Sequence, residues 1–150
     1  MKEVTKLMIN DFKIKELGYD FMGYTLQKND IYTFHHLIIP RRNGGPHKRW
    51  NGAILFSTPH QYLHLIEATD YDMFCYLSSE MIDINIKGYL DMENIRNIND
   101  LLLQFEREHC GDRRRNGNAL IKEEYTRRLL NKWEVKLNKI GGANLWMKRI

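Results

Sequence analysis

The strongest limit on the fold of this chain is the order of structural signals between residues 31 and 67. Residues 31–34 are β-branched or aromatic and predict a strand, which Pro40 stops because proline lacks the N–H that a ladder needs. A glycine-containing loop separates this strand from a second one predicted at 53–56. Ser57-Thr58-Pro59 then predicts a helix start, with a hydroxyl cap and proline in the first helical position. Strand, loop, strand and helix in this order predict a ββα unit.

Helices are predicted on both sides of this unit. Residues 3–17 carry apolar side chains at helical spacing and end at Gly18. Further helices are predicted at 71–84, 93–108 and 119–139, with residues 109–118 as the best candidate for a linker. The fold class is therefore α+β with a helix-rich C-terminal half. We expect a single domain over residues 1–150, made of a ββα core at about 30–68, a helical extension at 70–108 and a basic C-terminal helix at about 119–140.

Composition and cysteine usage indicate where such a chain works. Hydrophobic residues make up 43% of it and charged residues 28%, which is typical of a soluble globular protein. No apolar run approaches the roughly 18 residues that span a bilayer, and the N-terminus lacks the apolar block of a secretory signal, so we expect no membrane partner. Cys75 and Cys110 form neither a metal knuckle nor a disulfide framework, so the cytoplasm is the expected compartment. Cys75 and Trp50 are predicted to pack in the interior.

Charge is unevenly distributed along the chain. Residues 1–57 have a net charge of +4, residues 58–112 of −8 and residues 113–150 of +8. Two basic ends around an acidic middle are consistent with a polyanionic partner touched by particular surfaces. Solvated helix faces are the simpler explanation of the same pattern, so charge alone does not identify the partner.

The residues with chemical potential are histidines. His60 and His64 lie four positions apart on the predicted helix, so both imidazoles can face one metal ion. The first turn of that helix also favours a phosphate, because its free N–H groups point outward. A third ligand can come from the strand that carries His35 and His36. Neighbours in a regular strand face opposite ways, so both can serve one site only if the strand ends or twists there. Three imidazoles leave an open coordination position, which is typical of a catalytic centre.

Three ligands would leave a fourth histidine free. A free histidine has an ordinary pKa of about 6.5, so this residue would accept a proton from an attacking water at neutral pH. His47 is a further candidate for ligand or base, although it lies in the basic loop. Asn51 has a different predicted role: its side chain can hydrogen-bond two backbone groups at once and hold in place the loop behind the base.

The loop between the two predicted strands is strongly basic. Residues 41–49 contain four cationic side chains and no acidic one: Arg41, Arg42, Lys48 and Arg49. We expect these side chains to contact phosphates if the substrate is nucleic acid. For any one of them alone, a solvated loop position is the simpler interpretation.

The chain resembles a known family, the HNH or ββα-metal endonucleases. The residues that carry the likeness lie within about 30–66: His35-His36-Leu37-Ile38-Ile39-Pro40, the Gly44-Gly45 loop, Asn51, His60 nine residues later and His64 four beyond that. The chain is most similar to the subgroup of the colicin DNase domains, which bind the ion with histidines and have no cysteine knuckle. The resemblance implies that His35, His60 and His64 hold one divalent ion, that His36 is the general base, and that Asn51 is the middle residue of the motif.

The function implied by this resemblance is hydrolysis of phosphodiester bonds by a ββα-metal nuclease core with helices around it. DNA is the expected substrate and RNA is an alternative. Zinc, magnesium, manganese and nickel all remain candidates for the ion. Cleavage of both strands would need a dimer or two successive events, and a role in a phage, a mobile element, a defence system or a toxin stays open. The rival hypothesis is a catalytically silent module that binds nucleic acid or protein and whose metal only stabilises the fold. His36 favours the enzyme, because a purely structural metal site needs no additional histidine that could act as a base.

Overall fold

Five helices and a two-stranded antiparallel sheet form an α+β fold in residues 1–109, the part of the chain that the computed structural model describes. The predicted fold class is thereby confirmed at this level. The predicted basic helix and the linker beyond residue 109 lie outside the described residues. The elements are α1 (Glu3–Asp11), α2 (Ile14–Leu17), β1 (Tyr32–His36), β2 (Gly52–Phe56), α3 (Ser57–Thr69), α4 (Tyr71–Lys87) and α5 (Met92–His109), with 3₁₀ turns at Arg41–Asn43 and Arg49–Asn51.

The single N-terminal helix predicted over 3–17 is two helices. The break is at Lys13, which adopts a left-handed conformation with φ 55° and ψ 39°. Positions 12 and 14 are about 200° apart around a continuous helix, so they cannot face one core. The break removes this conflict, because Phe12 and Ile14 are both buried. The ring of Phe12 packs against Phe21, with the ring centroids 4.7 Å apart.

The sheet pairs β1 with β2 so that Thr33 is opposite Leu55 and His35 is opposite Ala53. Thr33 and His35 share one face of β1 because side chains alternate along a strand. Every residue of β2 is buried, so this strand lies in the interior of the fold. The sheet therefore presents Thr33 and His35 to α3, which follows β2 directly.

The first strand ends earlier than Pro40, the residue predicted to stop it. The last ladder-like bond joins the N–H of Leu37 to the carbonyl of Asn51 at 2.7 Å. The next two N–H groups, those of Ile38 and Ile39, are taken by the side chain of Asn51. The strand thus ends at His36 because an amide side chain replaces the partner strand.

The loop after Pro40 folds back on itself through Gly45. The Gly45 N–H donates to the Pro40 carbonyl at 3.0 Å. A Cβ atom at Gly45 would lie 1.9 Å from the carbonyl oxygen of Ile39, which no side chain can tolerate. Glycine is therefore required where the loop passes closest to the end of β1.

Helix α3 begins where predicted, but its cap is different. Neither Ser57 nor Thr58 caps the helix; both hydroxyls donate to Asp30 Oδ1, at 2.8 and 2.6 Å. The same oxygen accepts the Thr58 N–H at 2.9 Å. The carboxylate of Asp30, just ahead of β1, therefore accepts an N–H of the first turn as a capping side chain would. This bond couples the start of α3 to the start of the strand.

Helices α4 and α5 complete the core and extend slightly beyond their predicted bounds. The apolar stripe of α5 is buried at Ile95, Ile98, Leu102 and Phe105. The predictions of interior positions for Cys75 and Trp50 are wrong: Cys75 is exposed on α4 and Trp50 is 51% exposed. No helix within residues 1–109 has the length and apolar character needed to cross a membrane.

Candidate metal centre

Three histidines from two elements converge between β1 and α3. The ring centroids of His35 and His60 are 5.1 Å apart, those of His35 and His64 are 5.6 Å apart, and those of His60 and His64 are 4.9 Å apart. One ring nitrogen from each lies within 4.8 Å of the others, so the three side chains are positioned to bind a metal ion. The strand supplies one ligand and the i, i+4 spacing of the helix supplies two.

The hydroxyl of Thr33 determines which nitrogen of His60 carries a proton. Thr33 Oγ1 lies 2.6 Å from the Leu55 carbonyl, which only accepts, so the single hydroxyl proton is used there. The same oxygen lies 2.7 Å from His60 Nδ1 and must therefore accept from it. His60 is thus protonated at Nδ1, and its Nε2 lone pair faces His35.

A carboxylate does the same for His64. Glu67 Oε1 lies 3.1 Å from His64 Nδ1, one helical turn farther along α3. A carboxylate at neutral pH only accepts, so Nδ1 of His64 carries a proton, and Nε2 is the nitrogen left to bind a metal ion. Histidine ligands of protein metals are commonly held in this way by a partner of the second ring nitrogen.

The spacing between His35 and His60 fits a shared ion. His35 Nδ1 lies 3.2 Å from His60 Nε2. Two nitrogen ligands of one tetrahedral zinc ion, each about 2.0–2.1 Å from the metal, are separated by about 3.3 Å. The other ring nitrogen of His35 is buried without a hydrogen-bond partner among residues 1–109.

The rings of His35 and His60 are neutral at physiological pH. Burial lowers the pKa of His35 to about 3, with further lowering by the positive charges that His60, His64 and His36 would carry. Burial likewise lowers the pKa of His60 to about 4, with smaller effects of His64 and His36. Metal ions bind the neutral imidazole, so the site holds these two ligands in their binding form.

The fourth histidine, His36, is placed beside this group but on the other face of β1. Its ring contacts Phe34 and His47, with centroid distances of 5.0 and 5.7 Å. Partial burial lowers its pKa, and so do the charges of Arg41 and Lys2. The strand ends at His36, and His36 lines the same cavity as the three convergent histidines.

Asn51 is fully buried behind the loop and uses all of its hydrogen-bonding capacity. Its Oδ1 accepts the N–H groups of Ile38 and Ile39, at 3.0 and 2.7 Å. Its Nδ2 donates to the carbonyls of Ile39 and Pro46, both at 3.0 Å. Four bonds to the backbone, where two were expected, fasten both ends of the loop that follows His36.

The histidines border a cavity of about 690 Å³ between the end of β1 and helix α4. His36, Arg41 and Arg42 line it together with the three convergent histidines. Of the four loop cations, Arg41 and Arg42 therefore face the site. Lys48 and Arg49 do not line it: Lys48 is exposed elsewhere, and Arg49 pairs with Asp11 and lies over the ring of Phe12.

Two residues of the centre were missed in the sequence, although signals for both are present. Thr33 precedes His35 by two positions and so shares its strand face. Glu67 follows His64 by three positions and so shares its helix face. His47, the alternative ligand, is instead stacked on Phe34 at 3.8 Å and hydrogen-bonded to Thr5 Oγ1 at 3.0 Å.

Comparisons with protein-family models, with curated proteins and with solved structures produced no match. The function of the centre must therefore be argued from its own residues.

Proposed function

We propose that this protein is a metal-dependent endonuclease of the HNH type that hydrolyses phosphodiester bonds in DNA. The observation that carries the proposal is the convergence of His35, His60 and His64 with two of their tautomers held by Thr33 and Glu67. The order of elements around them, β1, β2 and α3, is the order of a ββα-metal core.

The three histidines would hold one divalent ion. When bound, such an ion supplies Lewis-acid chemistry, by neutralising charge on the phosphate and stabilising the leaving 3′-oxygen. Nitrogen ligands favour zinc, nickel or another borderline transition metal over magnesium, which prefers oxygen. Three protein ligands on a four-coordinate ion leave room for substrate.

His36 is the proposed general base. It lines the same cavity as the metal centre, and partial burial and the neighbouring cations lower its pKa, so the ring is neutral at pH 7 and can accept a proton from water. Asn51 contributes by positioning, since it binds the backbone immediately after His36. Arg41 and Arg42 are placed to bind phosphates beside the reacting one.

The test is plasmid cleavage by the wild type, His36→Ala and His47→Ala, each with and without a chelator. We expect cleavage by the wild type that the chelator stops, and a loss of at least about 100-fold in His36→Ala, because general-base catalysis contributes about 10²–10⁴-fold. His47→Ala is the matched control, since it removes the neighbouring ring, and should change the rate only a few-fold.

Metal content measured on the same samples separates this function from a metal that only stabilises the fold. His36→Ala should retain the ion of the wild type, because His36 is not a ligand in the proposal. Bound metal without any chelator-sensitive cleavage by the wild type would support the silent binding module and refute the nuclease.

A further inference from the structure

The cavity beside the metal centre has a second wall that catalysis does not use. This wall is formed by helix α4, which presents Tyr71, Phe74, Ser78, Ser79 and Ile82 to the cavity. The loop that carries Arg41 and Arg42 lines the same cavity. The cavity is thus bordered by cations from this loop and by aromatic and hydroxyl groups from α4.

The aromatic part of the wall is a stacked pair close to the metal ligands. The rings of Tyr71 and Phe74 are 5.8 Å apart with 29° between their planes. Phe74 also meets His35 edge to face at 6.3 Å. Tyr71 is 62% exposed, so this ring has a face free for a further flat group. Flat aromatic faces beside a phosphate site are the elements from which unpaired bases are bound.

A polar group without a partner lies deeper in the same wall. Ser78 is only 8% exposed, and its hydroxyl has no hydrogen-bond partner among the described residues. A buried hydroxyl without a hydrogen-bond partner is unfavourable, because it has given up its bonds to water and gained none in return. A ligand with donors and acceptors on its edge, such as a nucleobase, would supply the missing hydrogen bond to the Ser78 hydroxyl.

We propose that the cavity binds one unpaired nucleotide of a DNA strand next to the scissile phosphate, an inference that rests on the proposed nuclease function. Its volume of about 690 Å³ lies within the range of about 300–1,000 Å³ of pockets for small organic ligands. A paired base cannot enter a cavity of this kind, because it must first leave the duplex. The substrate class is therefore single-stranded or locally unpaired DNA, with its phosphates toward Arg41 and Arg42 and its base against α4.

The experiment measures binding of a fluorescein-labelled hexathymidylate, and of a blunt duplex of about 20 base pairs that stays paired in the assay, by fluorescence anisotropy. The full chain is used in chelator, so that binding is read without cleavage. We expect the single strand to bind at least about tenfold more tightly than the duplex. Tyr71→Ala should weaken single-strand binding by about tenfold, because stacking on one aromatic side chain contributes this much or more. Tyr76→Ala is the matched control, since Tyr76 is 60% exposed on the same helix and does not line the cavity.

A blocking variant tests the cavity itself. Ser79 is exposed on α4 at the cavity wall, so Ser79→Trp should fold normally and obstruct binding of the single strand; Ile86→Trp, at a position 79% exposed, is its control. Equal binding of duplex and single strand, equal effects of the two tyrosine variants, or tighter binding of hexauridylate would each overturn the proposal. Wild-type plasmid cleavage by Ser79→Trp would also overturn it while leaving the nuclease intact, whereas an inactive wild type would refute the nuclease itself.

Discussion

At the scale of single residues, the candidate metal centre depends on side chains other than its three histidines. Thr33 binds Nδ1 of His60 and Glu67 binds Nδ1 of His64, which leaves Nε2 of each ring for a metal ion. The side chain of Asn51 bonds to backbone groups and not to the three histidines, yet it holds the backbone on both sides of the loop after His36. The chemistry of the histidines is therefore set by polar neighbours.

Replacing Thr33 should weaken metal binding while leaving the three histidines in place. Thr33→Val keeps the β-branched shape that suits a strand but removes the acceptor for His60 Nδ1–H, so the ring loses its fixed tautomer. We expect zinc affinity to fall by about 10–100-fold, the usual effect of losing such a partner. Competition with a chromophoric zinc chelator measures the change.

Thr33→Ser is the control for that measurement, because it keeps the hydroxyl and shortens the side chain. Zinc affinity close to that of the wild type is expected for Thr33→Ser. If the valine variant bound zinc as tightly as the serine variant, Thr33 would have no role in orienting His60.

At the scale of elements, helix α3 is fastened to the strand that precedes it through Asp30. Partial burial raises the pKa of Asp30, but hydrogen bonds from Thr58, from the Gln27 N–H and from Ser57 outweigh burial and hold the pKa below its ordinary value. Two of the three convergent histidines lie on α3 and one lies on β1, so this carboxylate helps to set the distance between them.

The stability that Asp30 provides should depend on pH with a definite sign. Its pKa is lower in the folded than in the unfolded chain, so the ionised carboxylate stabilises the fold above about pH 4, and this contribution is lost as the pH falls below that value. Asp30→Asn should lower the free energy of unfolding by about 1 kcal/mol at pH 6, because hydrogen bonds to a charged group contribute about 1.5–3 kcal/mol and those to a neutral group about 0.5–1.5 kcal/mol. Urea unfolding of both proteins from pH 6 to pH 3 measures this difference, which should narrow below pH 4. If the free energy of unfolding of the two proteins fell in parallel from pH 6 to pH 3, the ionisation of Asp30 would be irrelevant to stability.

At the scale of the whole molecule, the centre joins parts of the fold that are far apart in sequence. His35 precedes His60 by 25 residues and His64 by 29. An ion bound by all three would therefore crosslink the sheet to α3, and it would bind the folded chain far better than the unfolded one.

Zinc should therefore raise the melting temperature of the protein. At a free concentration about 100 times the Kd, one site that binds only the folded state adds about 2.7 kcal/mol to stability. This amount raises Tm by about 10 °C in a domain of this size. Differential scanning fluorimetry with and without zinc measures the shift. In His64→Ala the rise in Tm on adding zinc should be a small fraction of the rise in the wild type. The Tm without metal should hardly change, because the His64 side chain is 53% exposed. An unchanged shift in this variant would remove His64 from the ligand set.

The elements of the fold follow mainly from signals that are local in the sequence. The helices α4 and α5 agree with their apolar periodicity, and β1 and β2 agree with their β-branched and aromatic residues, because both signals depend on neighbours a few positions away. The same is true of the pairing of His60 with His64. The break at Lys13 was missed, because it follows from the need of Phe12 and Ile14 to reach one core.

Other features depend on packing between distant segments and have no local signal. The cap of α3 comes from Asp30, 27 residues before Ser57, and the wall of the cavity comes from α4. Arg49 faces Asp11 instead of the cavity for the same reason. The sequence was sufficient for the fold class and for the pairing of His60 with His64, because residue spacing within one element fixes its faces. The third histidine of the group, His35, was implied by the family resemblance. The tautomers, the cavity and the cations that line it required the folded molecule, because they are properties of surfaces that meet only after the chain has closed on itself.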